Sequence, residues 1–252
     1  MKKEIGMWLV VLLVLVGVLF GTRQEIMAIE FDGTTSKYLT YHPLGTGFGN
    51  LDLITVSAWV YSDTYNTASG NIWFHYGSSF TTNSAVPNAI KVIWATTGTA
   101  GIWDSPASSI TTGAWHHVLF TLDRTDVANN PIIYINGTSV AVTETQTPTG
   151  AKVNETDDNL AYIGYEFDGK ISDVRIYNRI LTAAEVLAIY NARGRDNIRN
   201  GLVFCPFLNG AAGLQVFDGA TLAAGNTIVD PCSGAVGVPA GNPVGVGETY
   251  LR

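Results

Sequence analysis

Ala114-Trp-His-His-Val-Leu-Phe-Thr-Leu-Asp-Arg124, a polar break, then Pro131-Ile-Ile-Tyr-Ile-Asn-Gly-Thr-Ser-Val140 is the stretch whose reading decides the fold. Trp115, His117, Leu119 and Thr121 alternate with His116, Val118, Phe120 and Leu122. An extended chain with that pattern is apolar on both sides, which reads as a central strand. Thr125 to Asn130 is a turn-rich loop. Ile132 to Ile135 runs into Asn136-Gly137, the strongest short hairpin signal, and the chain returns through Thr138 to Val142. Three antiparallel strands in one unit predict an all-β sandwich.

The same alternation extends outward. Ile29 to Gly33 is a short strand ending in an Asp-Gly turn, continued by Tyr38 to Thr40, and Ile54 to Tyr61 is a longer one. Ile72 to Tyr76, Ala89 to Ala95, Gly101 to Asp104, Ala161 to Tyr165 and Phe167 to Tyr177 add further strands, separated by Ser/Thr/Asn/Gly runs. One short helix is legible. Thr182 is a good N-cap and Glu185 stands three residues on, the capping-box spacing. Val186, Ile189 and Tyr190 form its apolar stripe, expected to pack against an edge of the sandwich.

The 252 residues are 46% hydrophobic and 14% charged, enough for one large core. A net charge of −7 with no Lys/Arg cluster argues against nucleic acid as a partner. Met7 to Gly21 is an apolar run behind Lys2 and Lys3. Residues 7–21 are the sole expected contact with a membrane, and three readings stay open. They form a secretory signal with Ala28 as the small residue before cleavage, or an uncleaved anchor, or a dispensable leader before a start at Met27. All three place the folded part from about Ala28 onward.

Ile54 to Tyr61, Gly113 to Asp123, Ile133 to Gly137 and above all Phe167-Asp-Gly-Lys-Ile-Ser-Asp-Val-Arg-Ile-Tyr-Asn-Arg-Ile-Leu181, followed by the Thr182 to Tyr190 helix, resemble the laminin-G-like, concanavalin A-like jelly-roll family. The resemblance covers about 29–192. It implies a jelly-roll sandwich of two antiparallel sheets, a binding or adhesion role, and often calcium at the rim. Residues 1–28 then form a signal or anchor, and 193–252 a C-terminal segment. Gly201 to Gly210, Val229-Asp230 and Gly241 to Val244 look like the stretch that in such domains precedes the Phe-Asp-Gly strand. Either the order is permuted and 201–252 docks beside Ile29 to Phe31, or this is a separate assembly tail.

For chemistry, the resemblance makes calcium the first candidate cofactor, with Asp32 and Asp168 as ligands from two Phe-Asp-Gly turns. The competing reading is two turns whose Asp side chains cap their own backbone. Trp73, Tyr76, Trp94 and Trp103 stand near strand ends, where rings could stack on sugars, while Trp59 and Trp115 read as core. His116 and His117 face opposite sides of a strand and cannot easily grip one metal ion. His117 reads as a core histidine donating to a backbone carbonyl. Cys205 and Cys232 are expected to pair in an exported protein. Asn136 and Asn154 fit the glycosylation pattern.

No Gly-x-Ser-x-Gly elbow, phosphate-cradling glycine loop or Glu-x-Asp-x-x-Glu strand occurs. The leading expectation is therefore a non-enzymatic surface or structural module, secreted or membrane-anchored, that contacts proteins or glycans and forms a homo-oligomer or assembly. A second is a virion component, because Met27 as a start and the Gly241 to Arg252 tail resemble phage-encoded jelly-roll proteins. A third is a glucan hydrolase using Glu166 and Asp168, the nearest carboxylate pair to that missing strand.

Overall fold

Alternating strands need two faces to bury against, and here they resolve into two sheets packed face to face. The computed structural model describes residues 26–41, 50–64, 70–83, 85–153, 161–193, 195–206, 228–229, 236–240 and 244–248. In chain order the strands are β1 (Ile26–Asp32), β2 (Tyr38–Tyr41), β3 (Leu53–Ser62), β4 (Asn71–His75), β5 (Ser78–Asn83) and β6 (Ala89–Trp94). Next come β7 (Gly101–Asp104), β8 (Trp115–Asp123), β9 (Ile132–Ile135), β10 (Thr138–Ser139), β11 (Thr143–Gln146), β12 (Ala161–Ile163) and β13 (Asp168–Tyr177). Helix α1 (Ala183–Ala192) follows, then β14 (Leu202–Phe204), β15 (Ile228–Val229), β16 (Val236–Ala240) and β17 (Val244–Glu248).

The first sheet runs β10-β9-β8-β3-β13-β1-β17, with β14 also paired to β13. The second runs β11-β7-β6-β5-β4-β12-β2-β16-β15. Every pairing between these strands is antiparallel. Between the sheets, Val118, Phe120 and Leu122 of β8 and Val56, Ala58 and Val60 of β3 meet Phe80, Val92 and Trp94 from the other side. Phe80 and Phe120 touch edge to face with centroids 5.0 Å apart. Each such fully buried side chain contributes roughly 1.5–3 kcal/mol by leaving water. The architecture is the all-β jelly-roll sandwich expected.

Asn136 (φ 51°) and Gly137 (φ 79°) both sit in the left-handed region, as the tight β9–β10 hairpin turn requires. Helix α1 lands on this turn, where a Cβ added to Gly137 would meet Tyr190 at 3.0 Å. Its cap is the anticipated one: Thr182 Oγ1 accepts from Glu185 N, and the Glu185 side chain reaches back to the cap backbone. The packing differs from expectation. The helix covers the outer face of the first sheet rather than an edge, because Leu119, Tyr134 and Tyr177 point outward there and need the cover that Val186 and Ile189 supply. Tyr190 stacks on Trp59, centroids 5.7 Å apart.

Under that helix lies a buried ion cluster. Arg175 donates through Nη1 to both Asp196 oxygens at 2.8 Å and through Nε to Asp173 at 2.7 Å. Burial raises the Asp173 carboxyl above its ordinary value and outweighs the opposing pull of Arg175.

The C-terminal strands join the sandwich as edges. Val244–Glu248 pairs with Ile26 to Glu30, and Val236–Ala240 pairs with Tyr38 to Tyr41. The first strand accordingly starts at Ile26, two residues before Ala28, since β17 supplies hydrogen-bond partners that far. Residues 1–25, on which the signal and anchor readings fall, lie outside the described residues. No described helix is long and apolar enough to cross a membrane.

Candidate functional site

At one end of the sandwich, where β6 and β8 run out, the surface dips into a shallow, half-open cleft whose enclosed space is about 30 Å³. Trp94, Trp103 and Leu122 line its floor, and Asp123, Asp126, Asn129 and Lys152 stand around it. The walls follow from local sequence. Asp123 ends β8 and turns the chain by accepting from Thr125 N at 2.9 Å and Thr125 Oγ1 at 2.6 Å, so the Thr125 hydroxyl holds its carboxyl below the usual range. Asp126 Oδ1 accepts from Ala128 N at 2.9 Å and closes the next turn. Opposite, Thr96 bridges to Lys152, and Lys152 Nζ is held by Asp52 and by the Asn50 carbonyl.

Arg124 links floor to wall. Its guanidinium lies 3.9 Å from the Trp94 centroid, and Nη1 donates to the Leu51 carbonyl at 2.9 Å. Trp103 is fixed by donation from Nε1 to Asn130 Oδ1 at 2.8 Å. Its ring lies over Gly101, where any Cβ would come within 2.1 Å of it. The arrangement offers an apolar floor beneath carboxylate and amide groups. That suits a ligand with C–H faces and hydroxyls.

The four aromatic residues expected to stack on sugars are placed differently. Trp73, Trp94 and Trp103 are at most 4% exposed. Trp73 is a core residue stacked on Trp94, and the Trp94 face is already covered by Arg124. This corrects the reading of all three as exposed stacking platforms: they point inward between the sheets, and two of them serve as cleft floor. Tyr76, 39% exposed, stands in the β4–β5 turn with φ 48°. Arg124, Asp126, Asn129 and Lys152 were not singled out from sequence. The Asp123-Arg124-Thr125-Asp126 run at a strand end was the available signal.

Asp32 and Asp168 are brought together as direct partners across β1 and β13. The residues present do not fit a calcium ion, however. Lys37 Nζ lies 2.9 Å from Asp32 Oδ2, where a cation would bind, and Thr34 N and Oγ1 occupy Asp32 Oδ1. Partial burial raises the Asp32 carboxyl, but the Lys37 and Thr34 bonds together leave it below its ordinary value. Asp168 accepts from Thr64 Oγ1. Among the described residues no three His, Cys, Asp or Glu side chains gather around one point.

His117 faces outward from the first sheet beneath α1, and Nε2 bonds Ser57 Oγ at 2.9 Å. That replaces the expected backbone carbonyl. Full burial, helped by the Arg175 charge, pushes its pKa down to about 3, so the ring is neutral. His116 is held elsewhere, by Thr111 N at 3.0 Å. Asn136 is a poor glycosylation acceptor, contrary to its motif. Oδ1 accepts from His117 N at 3.0 Å and Nδ2 lies 3.2 Å from His116, so the side chain is committed to the strand. Asn154 lies outside the described residues. Cys205 is buried and disulfide-bonded, and Cys232, the other cysteine, lies outside the described residues.

No curated protein matches the chain. Among solved structures, a putative carbohydrate binding protein from Bacteroides ovatus superposes with a TM-score of 0.60 at 22% identity. That match covers 88% of this chain but only 62% of the other protein. A heptameric SAP-like pentraxin from Limulus polyphemus matches with a TM-score of 0.47 and 16% identity over 85% of this chain and 95% of its own. The carbohydrate-binding domain CBM40 of a Ruminococcus gnavus IT-sialidase matches with a TM-score of 0.45 and 14% identity over 68% of this chain and all of its own. The family profile of the concanavalin A-like lectin/glucanases superfamily matches residues 32–187, well over half of the sequence. The chain belongs to that superfamily.

Proposed function

We propose that this protein is a non-enzymatic glycan-binding module and that the cleft between β6 and β8 receives a sugar unit. The observation that carries the reading is the cleft itself: an apolar floor fixed by Arg124 on Trp94, with Asp123, Asp126 and Asn129 around its mouth. Carboxylate and amide groups above an apolar base are the pairing that recognises a ring with hydroxyls on its edge and C–H groups on its face. The carbohydrate-binding description of the Bacteroides ovatus protein supports the same class. Hydrolysis fits less well, because Asp123 and Asp126 hang from one loop, whereas glycosidase carboxylates flank the bond from two sides. The apolar run at 7–21 favours presentation outside a membrane.

The test is binding of the full chain to a panel of immobilised oligosaccharides, followed by titration calorimetry. Asp126→Ala and Asn129→Ala should each weaken the best ligand by about tenfold, the loss of roughly one charge-assisted or neutral hydrogen bond. Unchanged affinity in both variants would remove the cleft from the argument.

A further inference from the structure

Three tyrosines meet on the outer face of the second sheet. Leu39 of β2 and Ala161 and Ile163 of β12 fill the core, so Tyr38 and Tyr162, one residue from them in sequence, point outward. The register sets Tyr162 opposite Thr40, which makes Tyr38, on the same face of β2, its diagonal neighbour. Gly164 (φ 81°) then turns the chain so tightly that a Cβ there would meet the Phe31 ring at 2.2 Å. That turn delivers Tyr165, whose carbonyl accepts from Asn71 N at 2.8 Å. Ring centroids lie 5.3 Å apart for Tyr38–Tyr165, 5.4 Å for Tyr38–Tyr162 and 6.2 Å for Tyr162–Tyr165. Among the described residues no other two tyrosine rings touch, and no hydrogen bond engages these three hydroxyls. All three side chains are half-buried, packed yet open to solvent.

We propose that this triad is a modification site, where oxidation joins Tyr38 to Tyr162 or Tyr165 of the same chain through a carbon–carbon bond. The oxidant is hydrogen peroxide acting through a haem peroxidase, which removes one electron at a time. Each of two phenols gives up one electron and its hydroxyl proton. The two radicals couple at ring carbons ortho to oxygen, and the two displaced ring protons move to the oxygens and restore both phenols. One peroxide takes up the two electrons and two protons and becomes two waters. Geometry selects this site. Coupling needs two radicals side by side, and rings already in contact meet far more readily than tyrosines on separate molecules. The closer pairs meet edge to face, at 64° and 67°, which aims rim carbons of one ring at the other. Phe74, 5.6 Å from Tyr162, borders the cluster and carries no phenol, so coupling stays within the triad. The disulfide at Cys205 fits the oxidising surroundings that the reaction needs. The new bond staples β2 to β12 and restricts the unfolded chain as a disulfide does. The inference uses neither the cleft nor its ligand.

The experiment treats the dilute full chain with a haem peroxidase and limiting hydrogen peroxide, then reads biphenol fluorescence, intact mass and the cross-linked peptides. Wild type should remain a single chain, lose the mass of two hydrogen atoms, and yield a peptide joining Tyr38 to Tyr162 or Tyr165. The product should melt at a higher temperature than the untreated chain. Tyr38→Phe removes both closer pairs, and Tyr162→Phe/Tyr165→Phe leaves Tyr38 alone; each removes only hydroxyls and keeps the ring packing. The first should lose most of the product and the second all of it. Tyr76→Phe removes the most exposed of the described tyrosines, at 39%, and should change nothing. Biphenol formed equally in both triad variants, or lost in Tyr76→Phe, overturns the proposal. Product found only between chains also overturns it, as does a wild-type chain that gives none while free tyrosine in the same solution couples.

Discussion

The guanidinium of Arg124 lies 3.9 Å from the centroid of the Trp94 ring while donating to the carbonyl of Leu51, 73 residues back along the chain. Arg124→Ala removes a desolvated cation–π contact and a charge-assisted bond, and should cost about 3 kcal/mol of stability. Arg124→Lys should recover only part of it, since an ammonium cannot lie flat on the ring. Urea denaturation of the two variants beside wild type measures both values.

Gly101→Ala forces a Cβ into the Trp103 ring, which would lie 2.1 Å away. The ring must leave the cleft floor and its bond to Asn130, so the substitution should destabilise by about 1–3 kcal/mol as an overpacked core does. It should also weaken oligosaccharide binding. Retained affinity at lowered stability would mean that the Trp103 floor does not shape the cleft.

Neutral His117 makes the fold acid-sensitive. Its folded pKa of about 3 lies below the ordinary 6.5, chiefly through burial. As pH falls from about 6.5 towards 3, the unfolded chain takes up a proton here that the folded chain refuses, so stability drops by about 1.4 kcal/mol per pH unit from this group. His117→Gln, which keeps a partner for Ser57, should flatten that slope in denaturation curves taken at pH 6, 5 and 4. An unaltered slope would assign the effect elsewhere.

Glu185 acts in a more acidic window. The Arg179 side chain, which donates to it at 2.6 Å, is the main reason that its pKa falls from 4.5 to about 2. A carboxylate depressed in this way adds stability that is fully present above about pH 4.5 and is lost as pH falls towards 2. Glu185→Gln keeps an acceptor for the Thr182 amide but loses the carboxylate that pairs with Arg179, and should cost about 0.5 kcal/mol at neutral pH, with the difference from wild type shrinking below pH 4.

A chain beginning at Ile29 lacks Ile26, Met27 and Ala28, which pair with Glu248, Gly247 and Val246. It should melt at least about 2 °C below a chain beginning at Gln24. Both should melt at the same temperature in millimolar calcium and in chelator, because Lys37 already neutralises Asp32. A calcium-dependent rise would show that a metal displaces the lysine.

Taken alone, the sequence determines what is local. The alternation of β8, the left-handed Asn136-Gly137 turn and the Thr182/Glu185 cap each follow from a few adjacent residues, since strand period, turn geometry and orphan amides are short-range matters. The superfamily was legible for the same reason, in the run from Phe167 to Leu181. Alternation also separates the two faces of each strand, but it does not say which face meets water. Trp73, Trp94 and Trp103, near strand ends, therefore read as rings for a binding surface, and only the stacking of the sheets decided that they lie inside. The same holds for the helix: its stripe was readable, but its seat on a sheet face depended on where Leu119, Tyr134 and Tyr177 emerge. Asp32 standing opposite Asp168, and Phe74 beside Tyr162, are set by strand register. Register is a property of paired strands far apart in the chain, so the tertiary structure alone brings these groups together.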